Sequence, residues 1–425
     1  MKTMRVFLHN YCLDKNFIYL FLFLSLFFDS YRFFAIGNRD ITLWYVFAFV
    51  LITFSLFFEK KIYSFVKTNI VAWLIIIYMI INYCLLGQNE QNSLFIGIFC
   101  LLFFIASYRK TTHYNFFKIV NFFQVGMNFF AIYGIYQFIA NIFGAPLSNL
   151  WMDGFMVDGY NWGNNIVIGG HVFRRANAIF REPSYFSQLL AINMLIYCIL
   201  LLSGRFSNKK EIKFLSWTIL NGLALGLSFS GTGALIFILG LLCFPFFYTP
   251  YETRHFFKKI VPTFVFLFAV LIYLYISSSP LFNYFVGRLS EFDYTNIQSI
   301  SGYLRMVLPY QAAYDVLLSS NSFFGEGIGN AKFLVLSENM RPVGNSVQPI
   351  FARTIVEEGF IGFCLLVCFF YQLLKKAKEN SNLFYSAIFL GTFFMSFMHG
   401  TWSSEMFWLF LGILNVDFSD KYLVK

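Results

Sequence analysis

The sequence predicts an all-α polytopic membrane protein with about 12 transmembrane helices and two long non-cytoplasmic loops. Of the 425 residues, 58% are hydrophobic and only 12% are charged, which is more apolar side chain than one water-soluble core can bury. Apolar runs of about 15 to 28 residues recur along the whole chain, and helices of that length cross a hydrocarbon layer of about 30 Å. Residues 1–425 are therefore predicted to form a single integral membrane domain.

The predicted spans follow one another from the first apolar run, at 17–28. No small-residue cleavage pattern follows this run, so we assign it to a membrane helix rather than to a signal peptide. The twelve spans are predicted near 17–36, 41–58, 70–86, 93–107, 116–143, 184–203, 213–229, 233–249, 260–277, 350–374, 383–398 and 401–416. The two long connections are 144–183 and 278–349.

Lysine and arginine indicate the orientation, because basic residues are retained on the cytoplasmic side of short loops. Of the 31 basic residues, 21 fall in the two termini and in every second connection. Both termini are therefore predicted in the cytoplasm and both long loops outside. The formal net charge of +10 follows from this topology and favours contact with acidic membrane lipids, not nucleic-acid binding.

The basic residues predicted outside are nearly all arginines. They are Arg32, Arg39, Arg174, Arg175, Arg181, Arg288, Arg305, Arg341, Arg353 and Lys332. Bidentate recognition of phosphate or carboxylate favours the planar guanidinium, so an anionic substrate is predicted on this side. The alternative is that these arginines pair structurally with outer acidic residues such as Asp153, Glu291 and Glu326.

The first long loop ends in a charged segment, from Arg174 to Ser184. Its predicted anion ligands are Arg174, Arg175 and Arg181, and Glu182 is a candidate catalytic base. Pro183 suits the first turn of a helix, whose free amides also favour an anion. The alternative assigns Glu182 to helix capping and the arginines to anchoring at the lipid headgroups.

The second long loop contains a candidate surface helix, Leu304 to Leu318, predicted to be kinked at Pro309. A glycine-rich turn follows at 324–330, but no preceding strand makes it a nucleotide-binding loop. The candidate substrate ligands are Arg305, Asn345 and Arg353, and Glu357 is a second candidate base. Charged groups at a helix mouth facing a cavity are functional candidates.

Histidine and cysteine carry weaker signals. His171 and His399 are the only histidines predicted outside, and His171 is included as a candidate base although a lone histidine is more often structural. Cys364 and Cys368 lie one helical turn apart, but their apolar surroundings favour packing over a shared metal. No cluster of metal ligands occurs in the outer loops, so no metal and no cofactor are predicted.

Four pieces of the chain resemble one family. The segment from Arg175 to Ser184 resembles the R-x-x-G-x-F-x-E-P-S signature of Wzy-type polymerases, with Ala178 where glycine is usual. The other matching pieces are the Ser-rich turn 228–232, Arg305 with the Gly325 turn, and Asn345 with Glu357-x-Gly359-x-x-Gly362. Over about residues 170–365 the chain thus resembles the O-antigen polymerase and ligase superfamily.

The resemblance implies a polysaccharide polymerase of the bacterial inner (cytoplasmic) membrane. Such an enzyme is a metal-independent glycosyltransferase that joins undecaprenyl-diphosphate-linked repeat units on the outer face, for O-antigen or capsule. Its expected partners are a chain-length regulator and a separate flippase. The alternatives are an O-antigen ligase, which typically has a histidine where this chain reads Arg341 to Asn345, and a lipid-linked oligosaccharide flippase, which should carry charge inside the membrane.

Overall fold

The computed structural model describes residues 15–36, 39–58, 69–86, 91–149, 156–157, 165–204, 208–277, 279–280, 282–283, 287, 307–333, 349–380, 382–398, 402 and 404–419. These residues are mostly helical, as predicted. The helices are α1 Lys15–Phe27, α2 Leu43–Phe58, α3 Ile70–Leu86, α4 Gln91–Ala106, α5 His113–Phe143, α6 Pro183–Ser203, α7 Asn208–Leu227, α8 Gly231–Cys243, α9 Pro250–Ile276, α10 Leu308–Leu318, α11 Ile350–Asn380, α12 Leu383–Met398 and α13 Glu405–Leu414. Two 3-10 turns lie at Phe244–Phe247 and Asn330–Phe333.

Membrane character rests on the long apolar helices. Helices α5, α6 and α11 are long and apolar enough to cross a membrane, and several shorter apolar helices accompany them. Each of the twelve predicted spans overlaps a helix of the described chain, but most of these helices are short. The apolar helical class is therefore confirmed, and the count of twelve spans with two outer loops stays a prediction.

Among the described residues, three pairs of short strands interrupt the helices, and they were not predicted. They are β1 Arg32–Ile36 with β2 Arg39–Thr42, antiparallel; β3 Arg109–Thr111 with β6 Val416–Phe418, parallel; and β4 Asn165–Ile168 with β5 His171–Arg174, antiparallel. The first predicted span, 17–36, is therefore too long, because its last five residues form β1 beside β2 instead of extending α1. The third pair forms a hairpin inside the first long loop.

Two further sequence predictions differ from the structure. Pro309 lies in the first turn of α10 and does not kink it, because proline's missing N–H would be unpaired there in any case. Cys364 and Cys368 are both exposed, so they lie on the outer surface of α11 and do not pack in the core.

Helix α11 consists of two helices that meet at Gly359. Gly359 has φ 68° and ψ −161°, which breaks the helix. The rings of Phe351 and Phe370 are only 5.2 Å apart, whereas a continuous helix with a rise of about 1.5 Å per residue would hold them about 28 Å apart. The residues before Gly359 thus fold back against those after it. Residues 360–380 form the continuous part, about 30 Å long.

The helix ends gather at two opposite ends of the bundle. At the first, which we call the lysine end, Lys376 pairs with Asp417 at 3.4 Å and the Lys259 ammonium donates to the carbonyl of Leu201 at 3.2 Å. At the second, the arginine end, the Arg175 guanidinium contacts the turn after α7, and Thr42 contacts Glu405. Lys259 and Lys376 therefore lie at the end of the bundle opposite Arg175.

Helix α6 lies at the centre of the bundle, buried along nearly its whole length. A polar network joins it to its neighbours: the Asn193 amide donates to the side-chain carbonyl oxygens of Asn128 on α5 at 3.1 Å and of Asn221 on α7 at 2.9 Å. The Asn128 amide in turn donates to the Tyr197 hydroxyl at 2.7 Å. Polar side chains inside an apolar bundle need such partners, so the network fixes how these three helices pack.

Candidate functional site

The backbone of the segment before α6 makes hydrogen bonds to one buried glutamine, Gln137. The side-chain oxygen of Gln137, on α5, accepts hydrogen bonds from the backbone N–H groups of Asn177 at 3.0 Å and Ala178 at 2.9 Å. Its side-chain nitrogen donates to the carbonyl of Ala178 at 3.1 Å. Gln137 is 1% exposed, so this polar group satisfies the backbone of a buried turn.

Ala178 occupies a backbone conformation that suits glycine. Its φ is +49°, in the left-handed region, where a Cβ is sterically unfavourable. The signature that the segment Arg175 to Ser184 resembles has glycine at this position. The positive φ of residue 178 is a physical reason for glycine there.

Replacement of Ala178 by glycine is expected to raise the free energy of unfolding by up to about 1 kcal/mol, because relief of left-handed strain of about 1–2 kcal/mol exceeds the entropic cost of glycine. Thermal unfolding of the detergent-solubilised protein measures the change. Ala176→Gly is the matched control, since Ala176 is also buried but has no positive φ, and it should unfold at a lower temperature. A lower unfolding temperature for Ala178→Gly would contradict this explanation.

Arg175 joins two of the segments singled out in the sequence. Its Nε donates to the carbonyl of Ser228 at 2.9 Å, and its Nη2 donates to the carbonyl of Phe229 at 3.0 Å. Phe229 has a φ of +46°, so the guanidinium fork secures a tight turn between α7 and α8. Beside this turn, the Ser187 hydroxyl donates to the Ser230 hydroxyl at 2.9 Å. Part of the guanidinium therefore has a structural role, and anion binding by Arg175 stays a prediction.

Arg181 lies among carboxylates from distant parts of the chain. Its backbone N–H donates to the Asp29 carboxylate, and its charge acts favourably on both Asp29 and Glu405. The Glu405 carboxylate, at the first turn of α13, accepts a hydrogen bond from the Thr42 hydroxyl at 2.8 Å. We call Asp29, Arg181 and Glu405 the acidic cluster.

Asp29 is the member of the acidic cluster best placed to exchange a proton. Burial raises the pKa of Asp29 to about 7, because desolvation outweighs the hydrogen bond from Ser30 and the charge of Arg181. The Ser30 hydroxyl lies 3.2 Å from Asp29 Oδ1 and 2.7 Å from the carbonyl of Ile179, so it can donate to either. A carboxyl group in this state accepts a proton near neutral pH.

Sequence reasoning did not select Asp29 or Glu405. Each is an acidic residue at the end of an apolar run, the feature that marks functional candidates in membrane proteins. That signal was available in the sequence, but their proximity to Arg181 was not.

The other candidates near the first loop are placed differently. Glu182 precedes α6, and its carboxylate accepts from the Ser184 hydroxyl at 2.8 Å without capping the helix through its side chain. Pro183 begins the helix, as predicted. His171 is exposed at the start of β5, and Arg174 is half-buried at its end.

The glycine turn of the second loop clamps onto the break in α11. The N–H of Phe360 donates to the carbonyl of Ser322 at 2.9 Å, and the N–H of Gly327 donates to the carbonyl of Glu357 at 3.0 Å. A Cβ on Gly359 would lie 2.5 Å from the Gly325 nitrogen, so the two backbones touch. We call segments 322–331 and 356–361 together the glycine clamp.

Glu357 and Arg353 form an ion pair beside the glycine clamp. Arg353 Nε donates to Glu357 Oε1 at 3.0 Å, and the N–H groups of Gly329 and Ala331 also donate to this carboxylate. Glu357 is 1% exposed, so these bonds anchor the turn, while its role as a base stays a prediction. Arg305 and Asn345 lie outside the described residues.

The neighbouring Glu358 differs from Glu357. Its carboxylate is buried without a hydrogen-bond partner among the described residues, and its backbone carbonyl accepts from the Tyr78 hydroxyl at 2.6 Å. Gly362 is required next to it, since a Cβ there would lie 2.9 Å from Glu358 Oε2. Within the part of the chain that is described, no group of three or more His, Cys, Asp or Glu side chains is arranged to hold a metal ion.

The chain matches no protein-family model and no curated protein.

Proposed function

We propose that this chain is a polysaccharide polymerase that joins undecaprenyl-diphosphate-linked repeat units on the outer face of the bacterial cytoplasmic membrane. The observation that carries the proposal is the acidic cluster, in which Arg181, at the start of the apolar helix α6, interacts with Asp29 and Glu405. It combines a group that binds an anion with a group that accepts a proton.

The chemistry requires both kinds of group. The acceptor hydroxyl attacks the anomeric carbon of the donor, the bond from that carbon to the diphosphate oxygen breaks, and the hydroxyl proton passes to a base. Arginine offsets the charge that develops on the departing diphosphate. Asp29, with a pKa of about 7, accepts the proton, and the diphosphate leaves with the electron pair.

The proposed orientation places the arginine end outside and the lysine end in the cytoplasm, following the retention of basic residues on the inner side. Both termini are then cytoplasmic. A chain-length regulator and a flippase that supplies the repeat units would be the partners of such an enzyme.

A deletion strain tests the proposal through its surface polysaccharide. The strain is expected to lose the polymer ladder and to keep one repeat on the core. In a separate assay, the purified protein should form polymer from lipid-linked repeats with chelator present. Loss of every attached repeat would indicate a ligase instead. Accumulation of repeats on the cytoplasmic face would indicate a flippase, and an unchanged ladder would refute all three.

A further inference from the structure

An apolar groove runs along the surface of the bundle toward the lysine end. It has a volume of about 440 Å³ and lies between the 3-10 turn after α8, the continuous part of α11, and α12. Its lining includes Phe247, Phe363, Phe370, Phe389, Phe393 and Lys378. Lys378 is the one charged residue of that lining.

The dimensions of the groove fit a hydrocarbon chain. On α11 it extends from Phe363 to Lys378, about 22 Å at a rise of about 1.5 Å per residue. One leaflet with its headgroup region is about 20–22 Å thick, half of a bilayer of about 40–45 Å, so the groove from Phe363 to the charged Lys378 is about one leaflet long.

The groove is open to the surroundings of the protein. Val367 and Tyr371, which line it, are 43% and 63% exposed. A lipid chain can therefore enter sideways from the bilayer without passing through the protein.

Charge complementarity identifies the class of lipid. Lys378 is exposed and forms no ion pair with any described residue, whereas Lys375 on the same helix lies 3.8 Å from Glu379 and Lys376 lies 3.4 Å from Asp417. A basic side chain at the end of an apolar groove, at headgroup level, attracts an anionic headgroup.

We propose that this groove binds one acyl chain of an anionic phospholipid from the leaflet at the lysine end, with the lipid phosphate at Lys378. A zwitterionic phospholipid of the same chain length fits the groove but carries no net charge for Lys378 to attract. The site is separate from the acidic cluster at the opposite end of the bundle and does not depend on the proposed function.

Thermal unfolding in mixed micelles tests this proposal with phosphatidylglycerol and phosphatidylcholine of identical chains. Phosphatidylglycerol is expected to raise the unfolding temperature of the wild-type protein more than phosphatidylcholine does. Lys378→Ala should bind phosphatidylglycerol about fivefold more weakly, from the roughly 1 kcal/mol of one lysine near an anionic surface, and should respond equally to both lipids. Val367→Trp, which fills the groove, should reduce the response to both.

Lys375→Ala is the matched control, because Lys375 lies one turn away and does not line the groove. It should keep the wild-type preference for phosphatidylglycerol. Equal stabilisation of the wild-type protein by both lipids, or equal loss in the two lysine variants, would refute a specific headgroup site. An undiminished lipid response in Val367→Trp would refute the groove, and a changed oligomeric state in that variant would instead assign the groove to contact between copies of this chain.

Discussion

Arg181→Ala is expected to reduce polymer formation about a hundredfold, the effect of losing about 3 kcal/mol of transition-state stabilisation from one charge-assisted contact. The reason is that Arg181 lies just before α6, where its charge acts on both Asp29 and Glu405. Arg181→Lys should remain impaired, because lysine keeps the charge but loses the fork that binds two phosphate oxygens. The rate of polymer formation from purified lipid-linked repeats, at matched protein amounts, measures the effect.

Arg32→Ala provides the control from the same end of the bundle. Arg32 lies 3.8 Å from Asp40 and is partly exposed, and an exposed ion pair of this kind contributes little. This variant should form polymer at close to the wild-type rate. A normal rate in Arg181→Ala would remove Arg181 from the site, and an equal loss in both variants would mean that arginine acts there only as diffuse charge.

Gly359→Ala is expected to prevent formation of the glycine clamp. The φ of Gly359 is +68°, and an added Cβ would lie 2.5 Å from the carbonyl carbon and oxygen of Phe323 and from the nitrogen of Gly325. These neighbours are backbone atoms that cannot rotate away, so a loss of more than about 4 kcal/mol in the free energy of unfolding is expected. The unfolding temperature and the yield of monodisperse protein in detergent report this loss.

Gly226→Ala is the matched substitution without a clash. Gly226 lies in α7, and an added Cβ would meet no atom within 4 Å. Alanine is favoured over glycine within a helix by up to about 1 kcal/mol, so this variant should be as stable as the wild type or more so. If Gly359→Ala unfolded at the wild-type temperature, the tight contact between the two loop segments would not exist in the protein.

Most of the helices could be predicted because hydropathy is a local property. An apolar run long enough to cross a membrane forms a helix to satisfy its own backbone, and α6 begins at Pro183 as the sequence indicates. Shorter features were missed where pairing decides the structure. Residues 32–36 were predicted as the end of the first span, yet they form a strand because β2 pairs with them.

The candidate site could be predicted only in part. The sequence indicated that Arg175, Arg181 and Glu357 are unusual, because charged residues beside apolar helices are costly. It could not indicate that Arg175 contacts the Ser228 turn or that Glu357 accepts the amides of Gly329 and Ala331. Those partners are backbone groups, and a backbone group has no signature in the sequence.

The sequence by itself determined that the chain is an apolar helical protein whose basic residues concentrate in the termini and in every second connection, since composition and hydropathy require no knowledge of contacts. Tertiary structure alone decided which distant residues meet. Thr42 and Glu405 are 363 positions apart and share a hydrogen bond, and Asp29 lies beside Arg181. Helix packing fixes these neighbours, because the ends of α1, α6 and α13 meet only after the bundle has assembled.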